Sequence, residues 1–269
     1  MLFQTAYPSP ALAPFIKKYW AMENCLPAGE KHMQRIVPSG LPELIFYFGE
    51  RPKTTGSGKS IPENACVCGQ QSRFYDLQVS GKLSLFSILF QPHGAAQIFN
   101  VPINQLFEQN VPLVFIVNHE AIDLEVKLQE TNSFQEKVFT AEKFLLKRLK
   151  SNYKHHEFSR INLCLSEINR TKGLVSTEKL SELACLSRKQ FERSFSAFVG
   201  TSPGKFLKTV RFQYALHTKF NQKSISLTQL AFDCGYYDQS HMIHDFKSLS
   251  GFTPGEYFAC CEPYSDYFE

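Results

Sequence analysis

The strongest constraint on the fold of this chain is a unit that occurs twice. "LACLSRKQFERSFSAFVGTSPGKF" runs from Leu183 to Phe206, and "LAFDCGYYDQSHMIHDFKSLSGFTPGEY" from Leu230 to Tyr257. Leu180, Leu183 and Ala184 recur as Leu227, Leu230 and Ala231, while Phe191, Phe195 and Phe198 recur as Met242, Phe246 and Leu249. Gly200, Pro203-Gly204 and Phe206 return as Gly251, Pro254-Gly255 and Tyr257. The offset between copies grows from 47 to 51, so the second copy has four extra residues in its turn. An apolar skeleton kept twice ties both copies to one supersecondary design.

That design is two short helices meeting at a tight turn. Leu180, Leu183 and Ala184 make the inner face of a first helix; Phe191, Phe195 and Phe198, at spacings of four and three, make that of a second. Ser187 and Asp238 stand where an N-cap is wanted, which places the second helices at about 187–198 and 238–249. The pattern predicts two helix-turn-helix units. "SPGKFLKTVRFQYALHTKF" between them predicts a helix of about 17 residues beginning at Pro203, roughly 25 Å of rod.

The outer faces of the second helices differ between copies. One offers Arg188, Lys189, Glu192 and Arg193, the other Gln239, Ser240, His241 and His244. Arginine pairs bidentately with guanine, glutamine with adenine, and a carboxylate accepts from the cytosine amino group. A conserved core beneath two different reading faces suits a chain that reads two sub-sites about one DNA turn, 34 Å, apart. Arg193 is the expected base reader, with Arg188 and Lys189 steering toward phosphates. The formal net charge is only +4, but residues 170–258 hold 12 Lys/Arg against 7 Asp/Glu, so the excess sits with the repeat.

The remaining sequence is of another kind. "ELIFYFGE" at Glu43–Glu50 and "KLSLFSILFQ" at Lys82–Gln91 are strand-like runs bounded by "PSGLP", "GSGKS" and "QPHG", which argues for a small barrel or sandwich-like sheet. Phe134, Val138, Ala141, Leu145 and Leu149 form one apolar stripe along a helix at about 133–151, suited to packing on that sheet or to pairing subunits. "NYKHHEFS" breaks the pattern, and beyond it helical signals dominate, with Gly173 as a C-terminal cap. The expected organisation is α+β: a strand-rich domain over 1–154, then an all-α domain over 155–269.

Thr177 to Phe258 resembles the DNA-binding domain of the AraC/XylS transcriptional regulators. The resemblance rests on "LACLSRKQFERSFSAFVGTSPGKFL", on "VRFQYA" in the linking helix, and on "LAFDCGYYDQSHMIHDFKSLSGFTPGEY". It implies that Lys189, Glu192 and Arg193 read bases from the first unit, and Gln239, Ser240, His241, Ile243 and His244 from the second. Members frequently carry arginine or lysine where this chain has His244; because a histidine is in general mostly neutral near pH 7, less phosphate affinity or pH-sensitive binding is expected of this half. "PSPALAPFIKKYW", "RIVPSGLPELIFYFGE", Gly69-Gln70 and "FQPHGAAQIFNVP" are similar to a subgroup of the family with a poorly understood sensory domain. The resemblance implies double-stranded DNA as partner, with RNA polymerase and a second subunit held through the amino-terminal domain as further ones. It also implies control of transcription by that domain through a small-molecule effector, dimerisation, or both.

Other functional classes find little support. His32, His93 and His119 are scattered without metal-ligand spacing, and the eight cysteines form no Cys-x-x-Cys, so neither a metal cofactor nor an enzyme is expected. Cys66 and Cys68 share a strand face, yet no cation beside them favours a thiolate, and an inert role is expected. The 25 phenylalanines point first to aromatic cores; a sheet with "LIFYF" and "LSLFSILF" is also suited to enclosing a small apolar or amphipathic effector, with Arg35, Glu43 and Arg73 as nearby polar residues. No apolar run reaches the roughly 18 residues of a membrane span, and no signal-peptide pattern opens the chain; a cytoplasmic location is expected.

Overall fold

The computed structural model of the 269-residue chain describes residues 2–55, 61–152, 155–261 and 263–268. The amino-terminal strands are β1 (Leu2–Ala6), β2 (Ile16–Cys25), β3 (Lys31–Ile36), β4 (Glu43–Tyr47), β5 (Lys53–Thr55), β6 (Ala65–Cys68), β7 (Tyr75–Ser80), β8 (Lys82–Phe90) and β9 (Asn110–Pro112). They form an antiparallel six-stranded sheet, in the order β1-β2-β8-β4-β6-β9, and a three-stranded sheet β3-β7-β5. The expected sandwich-like arrangement is thus one large sheet with a small one beside it.

Alternation along the central strands decides what lies on each face. Leu44, Phe46, Phe86, Ile88 and Phe90 belong to a core that includes helices α1 (Gly94–Phe99), α3 (His119–Gln129) and α4 (Phe134–Asn152); a single turn, α2 (Val114–Val117), precedes α3. Tyr47, Leu83 and Leu85 point the other way and pack with Val79 of the small sheet. The apolar stripe of α4 is used in the first core: Phe134, Val138, Ala141 and Leu145 are all buried there. That stripe is therefore closed to a second subunit.

Helix α5 (His155–Arg170) opens the all-α part, followed by α6 (Thr177–Leu183), α7 (Arg188–Val199), α8 (Pro203–Asn221), α9 (Leu227–Asp233), α10 (Gln239–Ser250) and α11 (Pro254–Cys260). The sequence break at 152–159 lies partly outside the described residues, at 153 and 154. The two parts are packed together across it. Phe158 of α5 sits against Phe15 (5.3 Å between ring centroids) in the amino-terminal core, while Ile161, Cys164, Leu165 and Ile168 of the same helix enter the core of the first repeat.

The segment between β3 and β4 lies along α8. Leu41, with Leu89 of β8, joins the core around Phe206 of α8; Val37 packs against the core of the second repeat. The buried Gln213 of α8 donates to the Pro38 carbonyl (2.7 Å) and accepts from the Ser265 hydroxyl (2.8 Å). The chain after α11 turns back here, where the Tyr267 hydroxyl donates to Asn169 (2.6 Å) and Lys18 pairs with Asp266 (3.2 Å).

Candidate nucleic-acid interface

Local chemistry sets the start and stop of both outer helices. The Ser187 hydroxyl accepts from the Gln190 amide while the Gln190 side chain accepts from the Ser187 amide, a reciprocal capping box that opens α7. Asp238 accepts from the His241 amide (2.7 Å) and opens α10. Gly200 (φ 93°) and Gly251 (φ 79°) end them in the left-handed region that glycine enters without strain. The helices span 188–199 and 239–250, each within one residue of the expected range, with Ser187 and Asp238 as the N-caps that the sequence predicts.

Beneath them the repeated skeleton is buried as the spacing requires. Leu180, Ala184, Phe191, Phe195 and Phe198 fill one core; Leu230, Ala231, Met242, Phe246 and Leu249 fill the other. Leu183 is only partly buried. The residues expected to read DNA all lie on the opposite side: Arg188, Lys189, Arg193, Ser240, His241 and His244 are exposed, and Glu192, Gln239 and Ile243 half-buried. Helix α8, with 19 residues and about 28 Å of rise, joins the two units.

Arg188 is already engaged. Its guanidinium meets Glu178 of α6 (2.7 Å) and Glu192 one turn on (3.1 Å), which raises its pKa further and fixes the Glu192 carboxylate on the outer face. Arg193 and Lys189 form no ion pair among the described residues, leaving them as the available cations of the first unit. In the second unit His241 and His244 flank Asp245, which is 5 % exposed; its carboxylate lies 3.9 and 3.7 Å from their rings and 3.0 Å from Lys208 of α8. Asp245 thus ties the outer helix to the rod behind it. The sequence reading missed it because a carboxylate among histidines on an outer helix looks solvent-facing.

Two exposed aromatics were also missed. Tyr237, 94 % exposed, immediately precedes the Asp238 cap, and Phe232, 78 % exposed, lies on α9. The doubled tyrosine of "GYYD", of which Tyr236 alone is buried, was the available signal.

Arg35, Glu43 and Arg73, named as polar neighbours of an effector pocket, are not brought together. Arg35 lies against α10, Arg73 in the cleft between the two parts, and Glu43 within the large sheet, where it accepts from Trp20 (2.7 Å) and Ser87 (2.5 Å). Burial pushes the Cys66 thiol up, against nucleophilic use, and it donates to the Glu63 carbonyl (3.3 Å). Among the described residues no group of three His, Cys, Asp or Glu could hold a metal ion, and no helix is long and apolar enough to cross a membrane.

Residues 180–259 match the family of a helix-turn-helix domain, over both repeats and the rod between them. The carboxy-terminal part is an AraC-type helix-turn-helix domain. Residues 4–112 match a domain of unknown function, DUF6597. The AraC-type domain is 38% identical over 80 residues to an uncharacterized HTH-type transcriptional regulator of Haemophilus influenzae, covering 30% of this chain and 26% of that one. It is 27% identical over 82 residues to the HTH-type transcriptional regulator ArgR of Pseudomonas aeruginosa, covering 30% and 25%. The matches thus span about a quarter of the length of these curated relatives. A solved structure of ToxT from Vibrio cholerae O395 aligns over 96% of this chain and 97% of its own, at 11% identity and a TM-score of 0.46.

Proposed function

We propose that this chain is a sequence-specific transcriptional regulator of the AraC/XylS type, in which residues 155–269 bind double-stranded DNA and residues 1–154 control that binding. In this reading α7 and α10 enter successive major grooves on one face of the duplex. Arg193 contacts a guanine-containing step, Lys189 and Glu192 complete the first sub-site, and Gln239, Ser240, His241, Ile243 and His244 read the second. Arg188 holds Glu192 in place and exchanges toward a phosphate when DNA arrives. The observation that carries the reading is the pair of capped, outward-facing helices of unlike polar face, both packed against one rod, α8.

An effector, dimerisation through the amino-terminal domain, or both would set activity, and contact with RNA polymerase would follow for an activator. The reading places the protein in the cytoplasm, where its DNA would be. It includes no catalytic step.

The test is selection of binding sites from random duplexes by the full-length protein, with affinity for the selected site followed against salt. A bipartite site with halves about one turn apart is expected, and Arg193→Ala should cost about 1 to 3 kcal/mol on it while relaxing one position. Equal losses on random DNA would remove the base-reading role of Arg193. No enrichment by the full chain or by residues 155–269 would overturn the function.

A further inference from the structure

The amino-terminal domain holds the AraC-type domain at the back ends of its two reading helices. At the end of α7, Gln70 and Ile103 close on Gly200, where an added Cβ would lie 3.0 Å from each side chain. At the end of α10, Arg35 donates to the Ser250 carbonyl (3.2 Å), with its guanidinium between the rings of Phe74 (4.2 Å) and Phe252 (4.3 Å) and paired to Asp76 through two bonds of 2.8 Å. Residues 71–74 bridge these two contacts, and between them and the start of α8 lies a cleft of about 540 Å³.

The lining of this cleft is chemically one-sided. Arg73 comes from the bridging segment, Lys205 and Lys208 from α8, and Lys247 from α10, and no acidic residue lines it. Lys208 is paired with Asp245, but Arg73, Lys205 and Lys247 form no ion pair among the described residues. Phe74 and Leu249 are the only apolar residues of the lining; the others are polar or charged. Like charges gathered in a concavity raise one another's field and draw anions. The walls are anchored in place: Gln70 donates to the Gly40 carbonyl (2.7 Å) and the Ser72 hydroxyl bonds Glu108. The size falls within the range of small-molecule sites, and four cationic side chains around it favour a ligand with more than one negative group.

We infer that the cleft between residues 71–74 and helices α8 and α10 binds a small hydrophilic polyanion, a polycarboxylate or a phosphate ester carrying at least two negative groups. This rests on the regulatory reading above for its purpose, though not for its chemistry. A polyanion there bridges Arg73 of one domain to Lys205 and Lys247 of the other. It acts on the segment that abuts the ends of both reading helices, so its occupancy alters their relative placement and thereby DNA affinity.

The experiment titrates the full-length protein with citrate and with pyrophosphate, by calorimetry and by thermal unfolding, against sodium chloride of matched ionic strength. Saturable binding of at least one anion at one site per chain is expected, weakened tenfold or more in Arg73→Ala/Lys205→Ala and unchanged in Lys31→Ala/Lys53→Ala, which alters exposed lysines of the small sheet. A preference for citrate or for pyrophosphate separates the two ligand classes. Absence of saturable binding by both, or equal binding by the cleft variant, overturns the proposal. A second arm measures DNA affinity without either anion. If the cleft variant then loses as much affinity as Arg193→Ala, the cations serve the DNA backbone and the proposal falls. Anion binding that persists in a protein unable to select DNA would instead remove the regulatory reading and leave the site standing.

Discussion

His93 shows how a single core residue can matter beyond its packing. An isolated histidine without metal-ligand spacing, it is buried against Phe15 and Phe158, with neither ring nitrogen hydrogen-bonded among the described residues. Burial pushes its pKa down to about 4. The unfolded chain therefore takes up this proton first, and the stability present above about pH 6.5 is lost as pH falls toward 4, to a limit of roughly 3 kcal/mol. Glu43 works in the opposite sense, because burial raises its carboxyl to about 7 despite the bonds from Ser87 and Trp20. Its contribution is full below about pH 4.5 and is lost as pH rises through 7. The two nearly cancel in the native protein. His93→Phe should then gain urea resistance relative to the parent between pH 6.5 and 4, and Glu43→Gln relative to the parent above pH 7. Parallel profiles for parent and variants would show that neither group is desolvated as described.

At the scale of elements, the two units depend on contacts made far along the chain as well as on their own caps. Gly235, at φ 70° in the turn of the second unit, has Leu174 so close that an added Cβ would lie 2.2 Å from its side chain. Leu174 precedes α6, so this glycine lets the two units touch. Gly235→Ala should cost more than the roughly 1 kcal/mol of a backbone change alone, and should weaken the bipartite DNA site more than either half-site, as read by competition between split and intact duplexes. Arg35→Ala tests the other long contact: amide exchange should speed up in α10 and remain unchanged in α7, whereas equal acceleration in both would mean that Arg35 stabilises the fold without favouring one unit. These elements divide what was legible from what was not. Caps, spacings and left-handed glycines are local chemistry, so Ser187, Asp238, Gly200, Gly251 and the Pro203 start of α8 could be read from the string, and the outer helices were placed within one residue. Arg35 and Ser250 meet across 215 residues, and Leu41 joins a core built around Phe206. No periodicity records such pairings. Arg188 was legible as a cation, but its pairing with Glu178 depends on the crossing of α6 and α7.

The whole molecule combines an AraC-type domain with a domain that covers its back, and the proposed division of labour can be measured by salt. Every residue proposed to meet DNA lies between 188 and 244, whereas Leu41, Leu89, Val37 and Pro38 meet the AraC-type domain through its cores and Gln213. Removing residues 1–154 should therefore uncover apolar surface around Phe206 and α8, lowering the thermal midpoint of the fragment 155–269 and promoting its self-association, visible in sedimentation. It should leave the number of phosphate contacts unchanged. Because each contact contributes about 0.9 to the slope of log affinity against log salt, fragment and full chain should give parallel lines on the selected duplex, offset by whatever the covering domain contributes to the placement of α7 and α10. A fragment with a shallower slope by about one unit or more would mean that amino-terminal residues also touch the DNA backbone. Arg73, an exposed cation that shares a cleft with Lys247 of α10, would then be the first residue to neutralise, and the covering domain would be a participant in binding and not only its brace.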